Sequence, residues 1–504
     1  MIFEEFEDVL AVDFKDIIAN DKMSFYHDID TGDMKPIKCR PYRTPVQYRP
    51  WLKEEIKRLV TAGIIEPSQE EWGIPVTVVP KKLSDGTDAL RLCVDARPIN
   101  KNMKRDAFPL PRIDDILSLM ESKPEFFTTM DLFSGYNQIK MTPRAKARCT
   151  MVTEDGQWSY NRMTFGLADA QATFQRAISS VLKPLLGKTA YVYVDDITLY
   201  TRTFEEHMLV LRDVLQRLRS SGFFLKAKKC TIAADEVELL GHKVNAEGVH
   251  TTDKITKAVS DFPQPTNRTE TRSFLGLVGY YRTFILHFSS IAKPLNDLLK
   301  KDTHFHWTDE AQEAFETLKE RLISAPILRR PEVDKAFILT TDASKEGLGA
   351  ILSQMQTHDE DGPKEVVIAY ASKGTKPSER NYGATQLELL AVVWVTRHFH
   401  HYLVGRKFTL QTDHTSLKWL MNIDNPSGLF ARWITRLQEY HMDVEYKPGK
   451  KNQNADALSR MSRKKQVRFI TSMNEMINEN EAEEDEDNEP TLMAGHLGTA
   501  RSPK

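Results

Sequence analysis

No two cysteines of this chain are spaced for a metal knuckle or a redox pair. Cys39, Cys93, Cys149 and Cys230 are scattered, and no C-x-x-C occurs. That excludes a zinc ribbon and a disulfide frame, and free thiols in a reducing compartment are expected. No apolar run is long enough to span a bilayer. The opening residues, MIFEEFEDVL, are acidic where a secretory leader would be basic and then apolar. No G-x-x-x-x-G-K-[ST] loop is present, which argues against an ATP-driven motor. No tandem repeat suggests a solenoid, and no Ser-His or Cys-His pairing suggests a covalent nucleophile.

What is present is charge, unevenly placed. The chain has 504 residues, 40% hydrophobic and 28% charged, so several soluble globular domains are expected. Its net charge is −2. Residues 1–35 and 461–504 together hold 9 of the 69 basic and 19 of the 71 acidic residues. Residues 36–460 therefore carry 60 basic and 52 acidic residues, a net of +8. A moderately basic body suits a nucleic-acid partner without demanding one.

Along the chain, residues 1–35 read as an acidic arm or linker, too poor in apolar residues to offset its ordering and so expected to be dispensable. The prolines of KCRPYRTPVQYRP favour extended backbone. WLKEEIKRLVTAG reads as a helix, with Leu52, Ile56, Leu59 and Val60 at helical spacing and Gly63 suited to its end. Ile74 to Val79 is a strand, and KKLSDGTDALRLCVD is strand, turn, strand. EFFTTMDLFSGY is a strand ending at Asp131, with Phe127, Thr129 and Asp131 expected on one face. From Asp253 to Leu322 the texture is helical, with Thr308-Asp309 as an N-cap signal and Pro326 as a stop. A second α/β pattern follows: KAFILTTDAS, GLGAILSQ, ATQLELLAVVWVTRHFHHYL, KFTLQTDH and FARWITRLQEY. Beyond Met461, NENEAEEDEDNEP cannot bury a core and is expected to be disordered.

Two acidic sets stand out. In YVYVDDITLY, Asp195 and Asp196 are adjacent inside an alternating hairpin pattern. A turn aspartate with a neighbour is the plain alternative. Adjacent carboxylates repel, however, and a bound hard cation would remove the conflict. With Asp131 they make three aspartates on neighbouring strands, a set able to hold two Mg²⁺ ions roughly 4 Å apart for in-line phosphoryl chemistry. The second set is Asp342 and Asp413 at strand ends, Glu388 on the long helix beside Ala384, Ala391, Val392, Val395 and Phe399, and Asp456 in NQNADALSR. Each has an ordinary reading alone; Asp456, for example, suits the first turn of a helix. Four carboxylates without cysteine fit Mg²⁺ better than zinc.

The ordered motifs MDLFSGYNQI, FGLADAQATFQR, YVYVDDITLY and LLGHKV resemble the reverse transcriptase of Ty3/gypsy-type LTR retrotransposons. FLGLVGYYRTFI resembles the segment after its palm, and HDIDTGDMKPIKCRPYR its lead-in. TDASKEGLGAIL, ELLAVVW, FTLQTDHTSLKWL and NADALSR resemble its tethered RNase H. The resemblance covers about His27 to Arg460 and implies an α/β and α+β multidomain chain. It implies a right-hand polymerase (fingers, palm and thumb) followed by an RNase H-like domain. The implied divisions are an arm at 1–35, fingers and palm at 36–245, and a helical thumb or connector at 246–325. The RNase H-like domain follows at 326–460 and a disordered acidic tail at 461–504. It implies RNA- and DNA-templated DNA synthesis and cleavage of RNA in RNA–DNA hybrids. Each site would use two Mg²⁺ ions, with Mn²⁺ as a substitute.

By position, the resemblance makes Asp131, Asp195 and Asp196 the polymerase carboxylates and Asp342, Glu388, Asp413 and Asp456 those of RNase H. Tyr136 becomes the steric gate against a ribose 2′-OH; by itself it reads as a core tyrosine. Arg91 with Lys81 or Lys82 becomes a triphosphate contact, and Leu240, Gly241 and His242 the primer grip. The implied partners are an RNA template, a DNA primer, RNA–DNA hybrid and dNTPs. A dimer is left open and a membrane is not expected. The implied location is cytoplasmic, inside virus-like particles. Thr164 and Gln171 stand where the family usually has proline and Asp169 where it commonly has asparagine, departures expected to weaken template binding or processivity. A protease D-[ST]-G motif, a zinc knuckle and an integrase HHCC pattern are lacking, so one segment of a polyprotein is expected. The rivals are a decayed or domesticated nucleic-acid-binding copy and a structural part of a particle.

Overall fold

The computed structural model describes residues 2–447 apart from 19–21, 83–87, 113–115, 117–123, 302–303, 359–361 and 415–427. The chain divides into two compact units, the first ending at Leu239 and the second beginning at Leu240. Among the described residues no helix is long and apolar enough to cross a membrane.

In the first unit, helix α1 (Arg49–Thr61) buries Leu52, Ile56 and Leu59, the stripe expected from their spacing. The fingers sheet begins with β1 (Ile65–Pro67), β2 (Ile74–Lys82) and β3 (Asp88–Val94). Strand β4 (Phe126–Asp131) belongs to the palm, and β5 (Thr150–Thr153) and β6 (Gly156–Tyr160) return to the fingers. Helix α2 (Ala170–Leu182) precedes the hairpin of β7 (Ala190–Tyr193) and β8 (Asp196–Thr201). Helix α3 (Phe204–Ser221) and β9 (Thr231–Ala234) follow. The sheet orders are β1-β6-β5-β2-β3 in the fingers and β9-β4-β8-β7 in the palm.

Phe127 and Thr128, on opposite faces of β4, are both buried, so the strand is covered on both sides. The hydroxyl of Thr128 is satisfied by His207 Nε2 of α3 at 2.7 Å.

The acidic arm is a correction to the sequence reading. Phe6, Val9, Ala11, Ile17, Met23 and Ile29 are all buried. Leu225 N donates to Val9 O at 2.8 Å and Ala11 N to Leu225 O at 3.0 Å, so the arm joins the palm backbone. Its acids meet bases of α3: Glu5 pairs with Arg212 and Asp8 with Arg219, whose guanidinium lies 4.2 Å from the centre of the Phe6 ring. Phe14 packs edge-on against Phe133, just after Asp131. The acidic count concealed apolar residues that are few but all used. Phe6→Ala is therefore expected to cost about 3 kcal/mol. A calorimetric or fluorescence melt with an unchanged midpoint would show that the arm adds nothing to the fold.

The second unit opens with the hairpin of β10 (His242–Asn245) and β11 (Val249–Thr251). Helices α4 (Asp253–Ser260), α5 (Arg268–Tyr280), the short α6 (Phe288–Ile291) and α7 (Asp309–Ile323) follow. Thr308 caps α7, its hydroxyl accepting from Ala311 N. The RNase H-like part contains β12 (Phe337–Ala343), β13 (Gly347–His358), β14 (Gly362–Gly374) and α8 (Ala384–His398). It is completed by β15 (Lys407–Thr412), α9 (Gly428–Leu437) and β16 (His441–Tyr446). The sheet order is β14-β13-β12-β15-β16, antiparallel among the first three strands and parallel from β12 to β16. Leu389, Ala391, Val392 and Val395 of α8 are buried with Leu339, Leu352 and Leu410 of the sheet.

Candidate active sites

In the palm, register brings the first carboxylates together. Asp131 ends β4 directly opposite Asp196, the first residue of β8. Tyr193 pairs with Asp196, so Val194 and Asp195 form the two-residue turn between them. Val194 has φ of 53°, a region that β-branched residues avoid. A buried glutamine of α2 holds it there. Val194 N donates to Gln175 Oε1 at 2.7 Å, and Gln175 Nε2 donates to Val192 O at 3.1 Å. A Cβ at Gly135 would lie 2.9 Å from the Phe174 ring and 3.6 Å from the Asp195 carboxyl carbon, so glycine lets the chain pass this close.

The palm set is short of positive charge. Burial, then Asp196 and Asp131, push the Asp195 carboxyl up to about 6, while Lys229 opposes. Burial and Asp131 also raise Asp196. Asp195 Oδ1 is buried without a hydrogen-bond partner. Lys229 Nζ donates to Asp131 Oδ2 at 2.8 Å.

The second set is built the same way on another sheet. Thr340 pairs with Gln411 in the parallel ladder, so Asp342 and Asp413 lie level, each two residues further on. Glu388 is buried on α8, its Oε1 accepting from Ala343 N at 3.2 Å, while Oε2 is buried without a partner. Burial, then Asp342 and Asp413, push the Glu388 carboxyl up to about 8. Asp456 lies outside the described residues.

Among the described residues no three His, Cys, Asp or Glu side chains converge as a finished metal cage. Bare carboxylates repel and stay apart. Raised pKa values and orphaned buried oxygens at Asp195 and Glu388 are what a divalent cation would relieve, and oxygen-only donors fit Mg²⁺ or Mn²⁺.

Family models agree with this division. The one described as reverse transcriptase (RNA-dependent DNA polymerase) matches residues 79–244. The one described as the RNase H-like domain found in reverse transcriptase matches residues 332–440. The chain is 38% identical over 437 residues to the Pol polyprotein from transposon 297 of Drosophila melanogaster, covering 86% of this chain and 40% of that one. It is 35% identical over 452 residues to the Pol polyprotein from transposon gypsy of the same organism, covering 86% and 42%. The chain belongs to the Ty3/gypsy-type reverse transcriptases with a tethered RNase H-like domain. It spans about two fifths of the length of these curated relatives. In fold it is similar to the foamy viral protease-reverse transcriptase solved with an RNA/DNA hybrid. The TM-score is 0.72 at 21% identity, over 89% of this chain and 60% of that one. Domains of both matched kinds are generally dependent on divalent metal ions.

The other expected residues of this reverse transcriptase fall as follows. Tyr136 is half-buried, its ring between Phe165 at 4.9 Å and Phe174 at 5.6 Å. Arg91 on β3 lies 4.8 Å from the Phe165 ring, so one aromatic links it to Tyr136. Lys81 on β2 is exposed; Lys82 lies at the end of that strand, paired with Asp88. In the second unit, Leu240 and Gly241 both have positive φ. Tyr280 Oη donates to Leu240 O and Tyr281 Oη to Gly241 O, each at 2.7 Å. His242 is buried among Tyr280, Tyr281 and Phe284.

Among the family departures, Thr164 is buried and Gln171 exposed. Asp169 is buried, and its charge is met within the unit. Its Oδ2 accepts from Asp106 N at 2.9 Å, and its Oδ1 lies 3.7 Å from Arg105. The repulsion of template phosphate expected from an exposed aspartate is therefore blunted. Sequence reasoning assigned no role to Gln175, Phe165, Lys229, Tyr280 or Tyr281. All but Lys229 lie in quoted motifs, but only the fold shows what they touch.

Proposed function

We propose that this chain carries out RNA- and DNA-templated DNA synthesis in its first unit and cleaves the RNA of RNA–DNA hybrids in its second. One observation carries the reading: two separate carboxylate sets, each with a buried acid whose free oxygen lacks a partner. Asp131, Asp195 and Asp196 would hold two Mg²⁺ ions, and Asp342, Glu388, Asp413 and Asp456 another two. Mn²⁺ would substitute. Bound ions would activate the attacking oxygen and neutralise charge on the leaving group.

The chain's own residues do the rest. Gln175 fixes the turn that presents Asp195. Arg91, Lys81 and Lys82 offset the charge of a dNTP triphosphate. The Tyr136 ring crowds a 2′-OH and tolerates a 2′-H. Tyr280 and Tyr281 hold the turn Leu240-Gly241-His242, which would support the primer strand. The partners are then an RNA template, a DNA primer, dNTPs and hybrid duplex. Four free cysteines suit a reducing compartment, and we place the enzyme in cytoplasmic virus-like particles.

Primer extension on an RNA template, with Mg²⁺ and with chelator, tests the polymerase reading. Mg²⁺-dependent extension supports it; binding of template without any extension sinks it. In the same assay Tyr136→Ala is expected to raise ribonucleotide over deoxyribonucleotide incorporation by about tenfold or more, the weight of one removed steric clash of 1.4 kcal/mol. A lower overall rate with an unchanged ratio would make the ring purely structural.

A further inference from the structure

We infer that His287, which lies before the matched RNase H-like region, is a positioning residue for Asp342 in the RNase H site. The inference rests on the reading of Asp342 as an RNase H carboxylate. His287 caps α6 with φ of 57° and ψ of 25°, a left-handed conformation more often taken by glycine or asparagine. From there its Nε2 lies 3.5 Å from Asp342 Oδ2.

The surface beneath α6 is shaped to receive it. Asp342, Gly349 and Ser372 form one row across β12, β13 and β14. A Cβ at Gly349 would lie 2.4 Å from His287 Nδ1, and one at Gly347 2.5 Å from Ser290 Oγ. The absence of both side chains is what admits the segment. Ser289 N then donates to Ser372 Oγ at 3.0 Å, and the two serine hydroxyls lie 3.2 Å apart. Lys293 lies 3.9 Å from Glu346, in the turn between β12 and β13. These contacts leave the imidazole against the outer oxygen of Asp342. Asp342 is exposed and, among the described residues, ends its strand beside a loop. A donor on one oxygen restricts the rotamers of such a carboxylate and directs its other oxygen. Partners of this kind behind a metal ligand typically change affinity or activity 10- to 100-fold.

The test uses the full chain. His287→Asn removes the imidazole and tolerates the left-handed backbone. Gly349→Ala leaves His287 in the sequence and displaces its ring. Each is expected to raise the Mg²⁺ concentration for half-maximal hybrid cleavage about tenfold, with primer extension unchanged and, for His287→Asn, the thermal midpoint unchanged too. Calorimetric Mn²⁺ titration in an Asp131→Asn, Asp195→Asn background, where the RNase H set alone binds, is expected to show the same weakening. Mn²⁺ affinity and Mg²⁺ midpoint both within about twofold of the parent would overturn the inference and leave His287 a helix cap. Asp342→Asn in the same background separates the two layers. Lost Mn²⁺ binding upholds the reading beneath the inference, and retained binding overturns both.

Discussion

Asp195→Asn is expected to abolish primer extension, by about a thousandfold or more, while cleavage of a preformed RNA–DNA hybrid persists. The magnitude follows from removing a charge that holds transition-state-stabilising ions, not a peripheral contact. The selectivity follows from the fold. Asp195 sits on a turn of the first unit, and Asp342, Glu388 and Asp413 lie in the second. Asparagine keeps the size, so the Gln175 bond to Val194 N survives. It also removes a carboxylate that burial and two neighbouring acids disfavour in its charged form. In chelator the variant therefore melts no lower than the parent, and the lost activity cannot be ascribed to unfolding. A folded variant that lost both activities while still binding hybrid would refute the independence of the sites.

Glu388→Gln gives the mirror result: hybrid cleavage falls by orders of magnitude and extension persists. It has a second, pH-dependent signature. The folded-state pKa of Glu388, about 8, lies above the ordinary glutamate value of 4.5. The folded form thus binds the proton more tightly than the unfolded chain. Stability from this group is complete below pH 4.5 and is lost as pH rises through 8. Metal-free parent protein should lose thermal midpoint between pH 5 and 8 more steeply than Glu388→Gln, by a few degrees per kcal/mol. Saturating Mg²⁺ should erase the difference, because the cation then compensates the buried charge. Parallel melting curves for the two proteins in chelator would show that Glu388 is not the strained carboxylate.

The candidate carboxylates were legible because strand-end position and hairpin alternation are local properties. YVYVDDITLY contains its own turn, and KAFILTTDAS its own strand end. Alternation on β4 gives the facing of its side chains but not their burial, because α3 meets the second face, where Thr128 bonds to His207. The arm was misjudged for a related reason: counting acids ignores that Glu5 and Asp8 face arginines more than two hundred residues away. Gln175 and His287 were invisible as functional residues for the same cause. Their targets, Val194 N and Asp342, are brought to them by tertiary packing that no local pattern encodes. Asp456 lies outside the described residues, so its place in the RNase H set stands on sequence resemblance alone.

The packed arm has a bearing on maturation. The relatives are named as Pol polyproteins. Phe6, Val9, Ala11 and Ile17 are core residues, so a cut after any of them would discard part of the palm's own packing. Cleavage within the arm is therefore expected to lower the stability of the product.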